Sequence, residues 1–378
     1  MKHLGRLVAL LLLALNLLVT ALLVLTAYSP YIQPTTHPVL SCLGLAFPIF
    51  AVANGCFLLF WLVFQYYKCA LLPLAGFLLC YPQMHTFLPA NFHTDHLPEG
   101  SIKLLSYNIM GFDGTSKKDG QNPILNYLKE SGADILCLQE YATSGSSRHL
   151  TQKDVEQALE AYPYHRITSV GNAKGKNNKV ACYSKFPILS ARLLDYQSNN
   201  NGSVVYEIKL DNDTLTLINN HLESNKLTKE DKVVYEDMLK DPEKEKVKSG
   251  MRQLIRKLAE ASAIRAPQAD SIAKEVARSK HPYIVVCGDF NDTPISYSRR
   301  VIGRELNDAF TQSGRGLGIS YNQNKFYFRI DHILVSKNLH TYNCTVDRSI
   351  KDSDHYPIWC YIGRETELPY GMQTYLNH

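Results

Sequence analysis

Two carboxylates and an amide follow a short apolar run in the second half of the chain. Residues 284–286 have the length and β-branching of a buried strand, and Gly288 lets the backbone turn closely before Asp289 and Asn291. A carboxylate at such a place can orient or deprotonate a water molecule. A strand that ends in an ordinary Asp/Asn turn explains the same residues equally well. The function of this stretch therefore depends on what the rest of the chain supplies.

Polar residues also end or interrupt other strand-like runs of the chain. Taken singly, each has a structural explanation, because a lone Glu after a strand usually lies at the surface and a lone His is usually structural. Their occurrence as an ordered set favours a functional site instead. The residues are Asn108, Glu140, His221, Asp331, Asp354 and His355, in or after the runs 102–108, 134–140, 215–221, 330–335 and 353–358.

These residue types suit the hydrolysis of a phosphate ester, which needs a cation on the phosphoryl oxygens, an activated water and help for the leaving oxygen. Mg²⁺ prefers oxygen ligands and needs only one or two protein carboxylates. Glu140 is the main candidate ligand, with Asn108 and Asp354 as helpers. Asp289 can act on the water, and Asn291 can position a phosphate oxygen.

Imidazole groups supply a proton or a positive charge near neutral pH, and a neighbouring carboxylate strengthens that role. We expect Asp331 and His355 to form such a pair and His221 to be a second imidazole facing the phosphate. Arg315, in the loop 314–318, and Arg329 are weaker candidates for substrate contacts, together with Tyr321. The loop lacks the Lys-Ser/Thr and the strand–helix setting of a phosphate-binding motif.

Charge is distributed unevenly along the 378 residues. Residues 1–100 contain only Lys2, Arg6, Lys68, Asp95 and Glu99 as charged groups, so nearly all of the 40 basic and 35 acidic side chains lie in the remainder. The mild positive balance of that remainder is not typical of a polybasic nucleic-acid binder, although it leaves an anionic substrate or lipid surface open.

The N-terminal region, with few charged residues, predicts about three transmembrane helices, at 7–27, 39–64 and 69–88, of which the third is interrupted by Pro73 and Pro82. A cleaved signal peptide is the alternative for the first, but no small-residue cleavage site follows it. Lys2, Arg6 and Lys68 then mark cytoplasmic flanks. Three crossings place the large domain outside the cytoplasm. If 69–88 only lies at the interface, the domain is cytoplasmic.

The chain therefore divides into a membrane region at 1–90, a linker at 91–100 and a folded domain at 101–378. A short helix is expected within 119–132 and two more at 249–263 and 265–277. The charge run 237–248 reads as a solvated helix face. The five cysteines of the large domain show no metal-binding spacing and read as packed core thiols. Nothing in the sequence points to a protein partner.

The ordered set of motifs resembles the endonuclease/exonuclease/phosphatase superfamily, which includes deoxyribonuclease I, abasic-site endonucleases, neutral sphingomyelinases and inositol polyphosphate 5-phosphatases. The resemblance covers about residues 101–363, and its most specific motifs are the GDFN at 288–291 and the SDHYP at 353–357. The full set of motifs is Tyr107-Asn108, Gln139-Glu140, Asn220-His221, Gly288-Asp289-Phe290-Asn291, Arg329-Ile330-Asp331-His332 and Ser353-Asp354-His355-Tyr356-Pro357.

The resemblance implies a four-layer α/β sandwich, two central β-sheets flanked by helices, with the site where the sheet ends converge. It implies dependence on Mg²⁺ or Mn²⁺, with the metal-binding Glu at Glu140, and it places His221 in the branch that has His rather than Tyr at that position. Met110 stands where some abasic-site endonucleases carry an Asp, which weakens that subgroup.

We therefore expect a membrane-anchored, metal-dependent phosphoesterase that acts on a phosphodiester or phosphomonoester in a nucleic acid or a phospholipid head group. The alternatives are an extracytoplasmic nuclease, a sphingomyelinase-like lipid phosphodiesterase and a catalytically silent binding module. The last is disfavoured because every candidate position carries a competent side chain.

Overall fold

The computed structural model describes residues 2–118, 120–171, 178–240, 245–323 and 326–364. An N-terminal group of helices precedes a domain of mixed helices and strands. The helices are α1 (Lys2–Tyr28), α2 (Pro38–Ser41), α3 (Phe47–Val63), α4 (Tyr67–Leu79), α5 (Tyr81–Phe87), α6 (Met110–Thr115), α7 (Pro123–Glu130), α8 (Gln152–Ala158), α9 (Lys229–Lys240), α10 (Glu245–Arg278), α11 (Tyr297–Ile302) and α12 (Ala309–Ser313). The strands are β1 (Ile102–Asn108), β2 (Ile135–Gln139), β3 (Tyr164–Val170), β4 (Asn178–Ser184), β5 (Ile188–Leu193), β6 (Gly202–Leu210), β7 (Asp213–His221), β8 (Tyr283–Asp289), β9 (Leu306–Asp308), β10 (Tyr321–Gln323), β11 (Phe326–Phe328), β12 (Asp331–Ser336), β13 (Leu339–Val346) and β14 (Ile358–Arg364).

The described strands form two six-stranded sheets and one hairpin. The first sheet has the order β13-β14-β1-β2-β4-β3, the second has the order β5-β6-β7-β8-β12-β9, and β10 pairs with β11. Each sheet has one parallel pair, β1 with β2 and β7 with β8. Within these pairs Asn108 lies opposite Gln139, and His221 lies opposite Asp289. The carboxyl ends of the four central strands therefore carry the polar residues that the sequence singled out.

Alternating side chains on the strands build the layers. Leu104 packs into the cluster between the two sheets, whereas its neighbour Leu105 packs into a second cluster under α7 and α8, because successive strand residues point to opposite faces. A third cluster, with Val286 and Phe290, lies between the second sheet and helices α10 and α11. The order helices, sheet, sheet, helices is the predicted four-layer α/β sandwich, and that prediction is confirmed.

Helices α1, α3 and α4 pack on one another at the N-terminus, and buried polar groups connect all three. Thr20 donates to Asn54 Oδ1 at 2.8 Å, Asn54 donates to the Pro73 carbonyl at 2.9 Å, and Trp61 donates to Asn16 Oδ1 at 2.9 Å. Most of the other side chains on these helices are apolar and exposed. Among the described residues, two helical segments are long and apolar enough to cross a membrane, Leu7–Tyr31 and Pro38–Val63.

The third predicted span is not one uninterrupted helix. Residues 69–88 are divided at Cys80 between α4 and α5, where Pro82 lacks the N–H needed to continue the hydrogen-bond ladder. At about 1.5 Å per residue, α4 alone is about 20 Å long, shorter than a ~30 Å hydrocarbon core. The Met84 amide nevertheless donates to the Cys80 carbonyl, so α5 continues the path of α4 as a bent extension.

Other boundaries differ in smaller ways. The two helices expected at 249–263 and 265–277 are the single helix α10, which contains Pro267. The helix expected within 119–132 is α7, capped by the Asn122 side chain. The linker is bound to the domain, since Asn91 donates to the carbonyls of Thr311 and Gly314. Residues 241–244 of the charge run and the last part of the domain, 365–378, lie outside the described residues.

Candidate active site

Two of the candidate residues occupy left-handed backbone conformations directly after strands. The φ angle is 53° at Glu140 and 51° at Asn291, values that cost a non-glycine residue about 1 kcal/mol or more. Gly288, the last residue but one of β8, also has a positive φ, of 128°. A Cβ atom at Gly288 would lie 2.0 Å from the Asn220 carbonyl oxygen, so only glycine fits beside β7.

A left-handed turn follows Asn108 and supports the first sheet's part of the site. Gly111 to Gly114 within α6 all have φ between 56° and 65°, and the flanking Met110 and Thr115 are also positive. The turn is tied to the candidate residues, because Met110 donates its amide to Asn108 Oδ1 at 3.2 Å and Gly111 donates to the Glu140 carbonyl at 2.8 Å. The strained turn thus orients Asn108 and Glu140 together.

Asn108 connects the two sheets at the centre of the site. Its buried amide nitrogen donates to Glu140 Oε1 at 3.2 Å and to Asp289 Oδ2 at 3.1 Å. Glu140 follows the carboxyl end of β2 in the first sheet, and Asp289 is the last residue of β8 in the second sheet. Below this contact, Gln139 donates to Asn219 Oδ1 at 2.6 Å across the same gap between the sheets. These bonds hold the ends of the two sheets in a fixed relation.

His221 is buried against both carboxylates. Its Nε2 lies 3.6 Å from Glu140 Oε1 and 3.7 Å from Asp289 Oδ2, and its Nδ1 lies 3.3 Å from Asn178 Nδ2. Burial lowers the pKa of His221 even though the Asp289 carboxylate opposes that shift. The neutral imidazole is therefore favoured, and it accepts at Nδ1 and donates at Nε2.

His355 is the second imidazole and has the opposite electrostatic setting. Its Nδ1 lies 2.8 Å from Asp331 Oδ2, and its Nε2 lies 3.6 Å from Asp289 Oδ2. Burial acts to lower the pKa of His355, but the Asp331 and Asp289 carboxylates outweigh it and raise that pKa to about 10. Near neutral pH His355 is an imidazolium.

Asp289 lies between the two imidazoles and is held by Asn291. The Asn291 amide donates to Asp289 Oδ1 at 2.8 Å, and its side-chain nitrogen donates to Asp289 Oδ2 at 3.2 Å and to the Leu222 carbonyl at 3.0 Å. Burial raises the pKa of Asp289 to about 6, because the histidines only partly offset the lost solvation. A carboxylate with that pKa can exchange a proton near neutral pH.

Glu140 and Asp354 form the more open side of the site. The Glu140 side chain keeps 38% of its surface exposed, and Asp354 is half-buried. Burial raises the pKa of Glu140, and the Asp354 carboxylate adds to that shift. A divalent cation bound here would favour the ionised form of Glu140, which burial and the neighbouring carboxylate disfavour.

The two arginines do not join the other candidates. Arg329 is buried, donates to the carbonyls of Leu317 and Thr86, and stacks on Phe310, so its guanidinium is used inside the protein. This corrects the expectation that it contacts substrate. Arg315 is exposed, and its backbone forms a bridge with Ala90 rather than reaching the candidate residues.

Tyr321 and Asn178 belong to the site by geometry. The Tyr321 ring lies 5.1 Å from the His355 ring, and burial together with the nearby Asp354 raises its pKa. Sequence analysis made Tyr321 only a weak candidate, because it lies near Arg315 along the chain. Asn178 carried no signal, because a single Asn at the start of a strand is indistinguishable from a turn residue. Its role follows only from the position of β4 beside His221.

Comparison with known proteins agrees with this architecture. A family model described as the Endonuclease/Exonuclease/phosphatase family matches residues 105–355, and a model described as a domain of unknown function (DUF8431) matches residues 9–87. No curated protein matches the chain.

Similar solved structures include a humanized D. rerio TDP2, with 16% identity, a TM-score of 0.48 and coverage of 70% of this chain and 99% of that one. Truncated Caenorhabditis elegans TDP2 has 18% identity, a TM-score of 0.46 and coverage of 71% and 99%. An endonuclease/exonuclease/phosphatase from Beutenbergia cavernae has 13% identity, a TM-score of 0.49 and coverage of 70% and 72%. The first family model spans well over half of the sequence, and the chain therefore belongs to the endonuclease/exonuclease/phosphatase family.

Proposed function

We propose that the chain is a membrane-anchored phosphoesterase that depends on a divalent metal and hydrolyses phosphodiester or phosphomonoester bonds. The observation that carries this proposal is the position of Asp289. Asn108 and Asn291 donate to its carboxylate, and the Nε2 atoms of His221 and His355 lie 3.7 and 3.6 Å from its Oδ2. An acid–base group between two imidazoles fits the transfer of a phosphoryl group to water.

In this proposal Asp289 orients the attacking water and accepts its proton, since its raised pKa suits that exchange. His355, kept protonated by Asp331, places positive charge on the phosphoryl oxygens. In the same proposal, His221 donates a hydrogen bond from Nε2 to the phosphoryl group. Asn291 holds Asp289 in place.

The donor chemistry fits Mg²⁺ or Mn²⁺ held by Glu140, Asn108 and Asp354, all of them oxygen ligands. A second group, Asp289, Asp331 and His355, also places three donor atoms within 4.8 Å of one another. It fits a cation less well, because a protonated His355 has no lone pair to offer. When bound, the ion neutralises charge on the phosphoryl oxygens and the leaving oxygen.

We further propose that the chain is a multi-pass membrane protein with its catalytic domain outside the cytoplasm. The polar network that joins α1, α3 and α4 supports three packed spans, with α5 extending the third. Lys2, Arg6 and Lys68 lie in sequence at the ends of these helices away from the catalytic domain, as the positive-inside rule requires.

The test is turnover by the purified full-length protein in lipid nanodiscs. It would be incubated with Mg²⁺ or Mn²⁺ and generic phosphomonoesters, phosphodiesters, DNA, RNA and phospholipids, beside Glu140→Ala. We expect metal-dependent release of phosphate or a phosphate ester by the wild type only. Cleavage of DNA or RNA alone would favour the nuclease alternative. Absence of turnover on every class would favour a silent binding module.

A further inference from the structure

The loop that follows the catalytic strand β8 reaches the membrane helices. Ile295, four residues beyond Asn291, is 4% exposed and completes the apolar cluster of the N-terminal bundle. A Cβ atom at Gly44 would lie 2.1 Å from the Ile295 carbonyl oxygen, so the loop and the bundle are in tight contact. The buried members of that cluster are Leu23, Ala27, Phe47, Cys80 and Ile295.

The loop contacts the same end of α1, of α3 and of the α4–α5 segment. The cluster contains residues from the C-terminal part of α1, the first residue of α3, and Met84 and Phe87 from α5. The loop therefore contacts the end of the bundle and not its side. Four extended residues span at most about 14 Å, so Asn291 lies within that distance of the bundle's end. The polar layer of a bilayer extends roughly 5–8 Å beyond each face of the hydrocarbon core.

Two arginines hold the domain in this orientation. Arg329, two residues before Asp331, donates to the Thr86 carbonyl at the end of α5. Arg300 donates to the Pro30 carbonyl at 2.8 Å and lies 4.5 Å above the centre of the Tyr31 ring. Because of these two contacts, the site cannot move away from the bilayer without breaking partly buried hydrogen bonds.

Exposed apolar side chains occur beside the same region, on the loop 314–318 and on β11. Leu317 is 45% exposed, and its carbonyl accepts from Arg329, the residue that also binds Thr86. Tyr327 is 53% exposed and pairs with Asn322, the neighbour of Tyr321 at the site. The Tyr235 ring of α9 stacks at 4.1 Å on Phe326 of the same hairpin. Apolar side chains that continue the end of a membrane bundle have the bilayer as their natural partner.

We infer that the substrate is a phosphodiester in the head group of a lipid in the same bilayer, admitted past an apolar rim formed by Leu317 and Tyr327. This inference rests on the proposed function of the site. Water adds to phosphorus and the ester P–O bond breaks. Asp289 accepts the proton of the water, and the departing oxygen takes up a proton from His355. The apolar part of the lipid stays in the membrane throughout.

The test uses the full chain reconstituted with Mg²⁺ into vesicles of phosphatidylcholine, phosphatidylethanolamine, phosphatidylglycerol, phosphatidylinositol and sphingomyelin. A water-soluble aryl phosphodiester and a single-stranded oligonucleotide are measured in parallel. We expect a vesicle lipid to be cleaved at least tenfold faster than its short-chain, water-soluble analogue. Cleavage of the soluble diester or the oligonucleotide without cleavage of any vesicle lipid would overturn the inference and leave the proposed function standing. Absence of turnover on every substrate would contradict both the inference and the proposed function.

Substitutions in the rim distinguish lipid access from catalysis. Leu317→Asp and Tyr327→Asp should each reduce vesicle turnover about tenfold or more and leave hydrolysis of the soluble diester within twofold of wild type. The matched control is Leu189→Asp, since Leu189 is 57% exposed on β5, at the opposite edge of the second sheet from β9. At about 4.8 Å per strand the two edges are roughly 24 Å apart. Equal losses in all three variants, or no loss in the rim variants, would count against the rim.

Discussion

His355 Nδ1 lies 2.8 Å from Asp331 Oδ2, and Asp331 is itself paired across the second sheet with Asp289. The strand pairing therefore sets the distance between the carboxylate that charges the imidazole and the carboxylate proposed to act on water. Because His355 Nε2 points to Asp289 at 3.6 Å, one imidazolium joins the two. The protonation states of His355 and Asp289 therefore depend on the pairing of Asp331 with Asp289.

Asp331→Asn should lower the pKa of His355, because the largest favourable charge beside the imidazole is removed. A group with a raised pKa stays protonated up to that pKa and loses its proton as the pH rises through it. Activity that needs the imidazolium should therefore fail at lower pH in the variant, with its alkaline limb displaced by at least one pH unit. The measurement is kcat against pH on a soluble phosphodiester.

The control for that profile is Asp211→Asn, which removes an exposed carboxylate paired with Arg364 at 2.8 Å. It should keep the alkaline limb of the wild type. An Asp331→Asn profile that overlays the wild-type profile would show that Asp331 does not set the charge of His355.

Glu140→Ala should cut metal-dependent turnover by about 10²-fold or more, as expected for lost electrostatic assistance. A chelator should abolish wild-type turnover, and added Mg²⁺ should restore it. Binding of Mn²⁺, followed by electron paramagnetic resonance, should weaken in the variant independently of any activity. Glu130→Ala, at the exposed end of α7, serves as the matched control. Unchanged Mn²⁺ binding in Glu140→Ala would remove Glu140 from the metal site.

Gly288→Ala should destabilise the catalytic domain by about 3 kcal/mol or more, since the new methyl group meets the Asn220 carbonyl and the backbone has a positive φ. Thermal unfolding followed by circular dichroism measures the effect. Gly145→Ala provides the comparison, because a Cβ there meets nothing within 4 Å. Similar unfolding temperatures for both variants would mean that β7 and β8 tolerate separation at this point.

A disulfide should form in the double variant Ser41→Cys and Ser262→Cys. The two hydroxyl oxygens lie 3.4 Å apart, one in α2 and the other in α10. Oxidation followed by peptide mass mapping would detect the bond between α2 and α10. Ser262→Cys alone controls for pairing with the neighbouring Cys42. Lack of crosslinking in the double variant would show that the bundle and the domain do not hold this contact.

The sequence alone identified five strands, β1, β2, β7, β8 and β12, and the polar residues in them or beside their ends, whereas the run 353–358 precedes β14. Apolar runs of strand length are local signals, and β1 and β7 follow them closely. The family motifs added the four-layer architecture, because their order along the chain is specific. The apolar segments of the N-terminus were also evident from the sequence. The first two are long and apolar enough to cross a membrane.

Only the tertiary structure decided which polar residues meet. Asn108 and Asp289 are 181 positions apart, and their contact exists because the two sheets pack with their strand ends together. The same packing turned Arg329 away from the site and toward Thr86, although its sequence position beside Asp331 favoured the site. Asn178 lies against His221 for a similar reason. Local sequence sets which residues end a strand, whereas the energy of packing sheets and helices sets what each end faces.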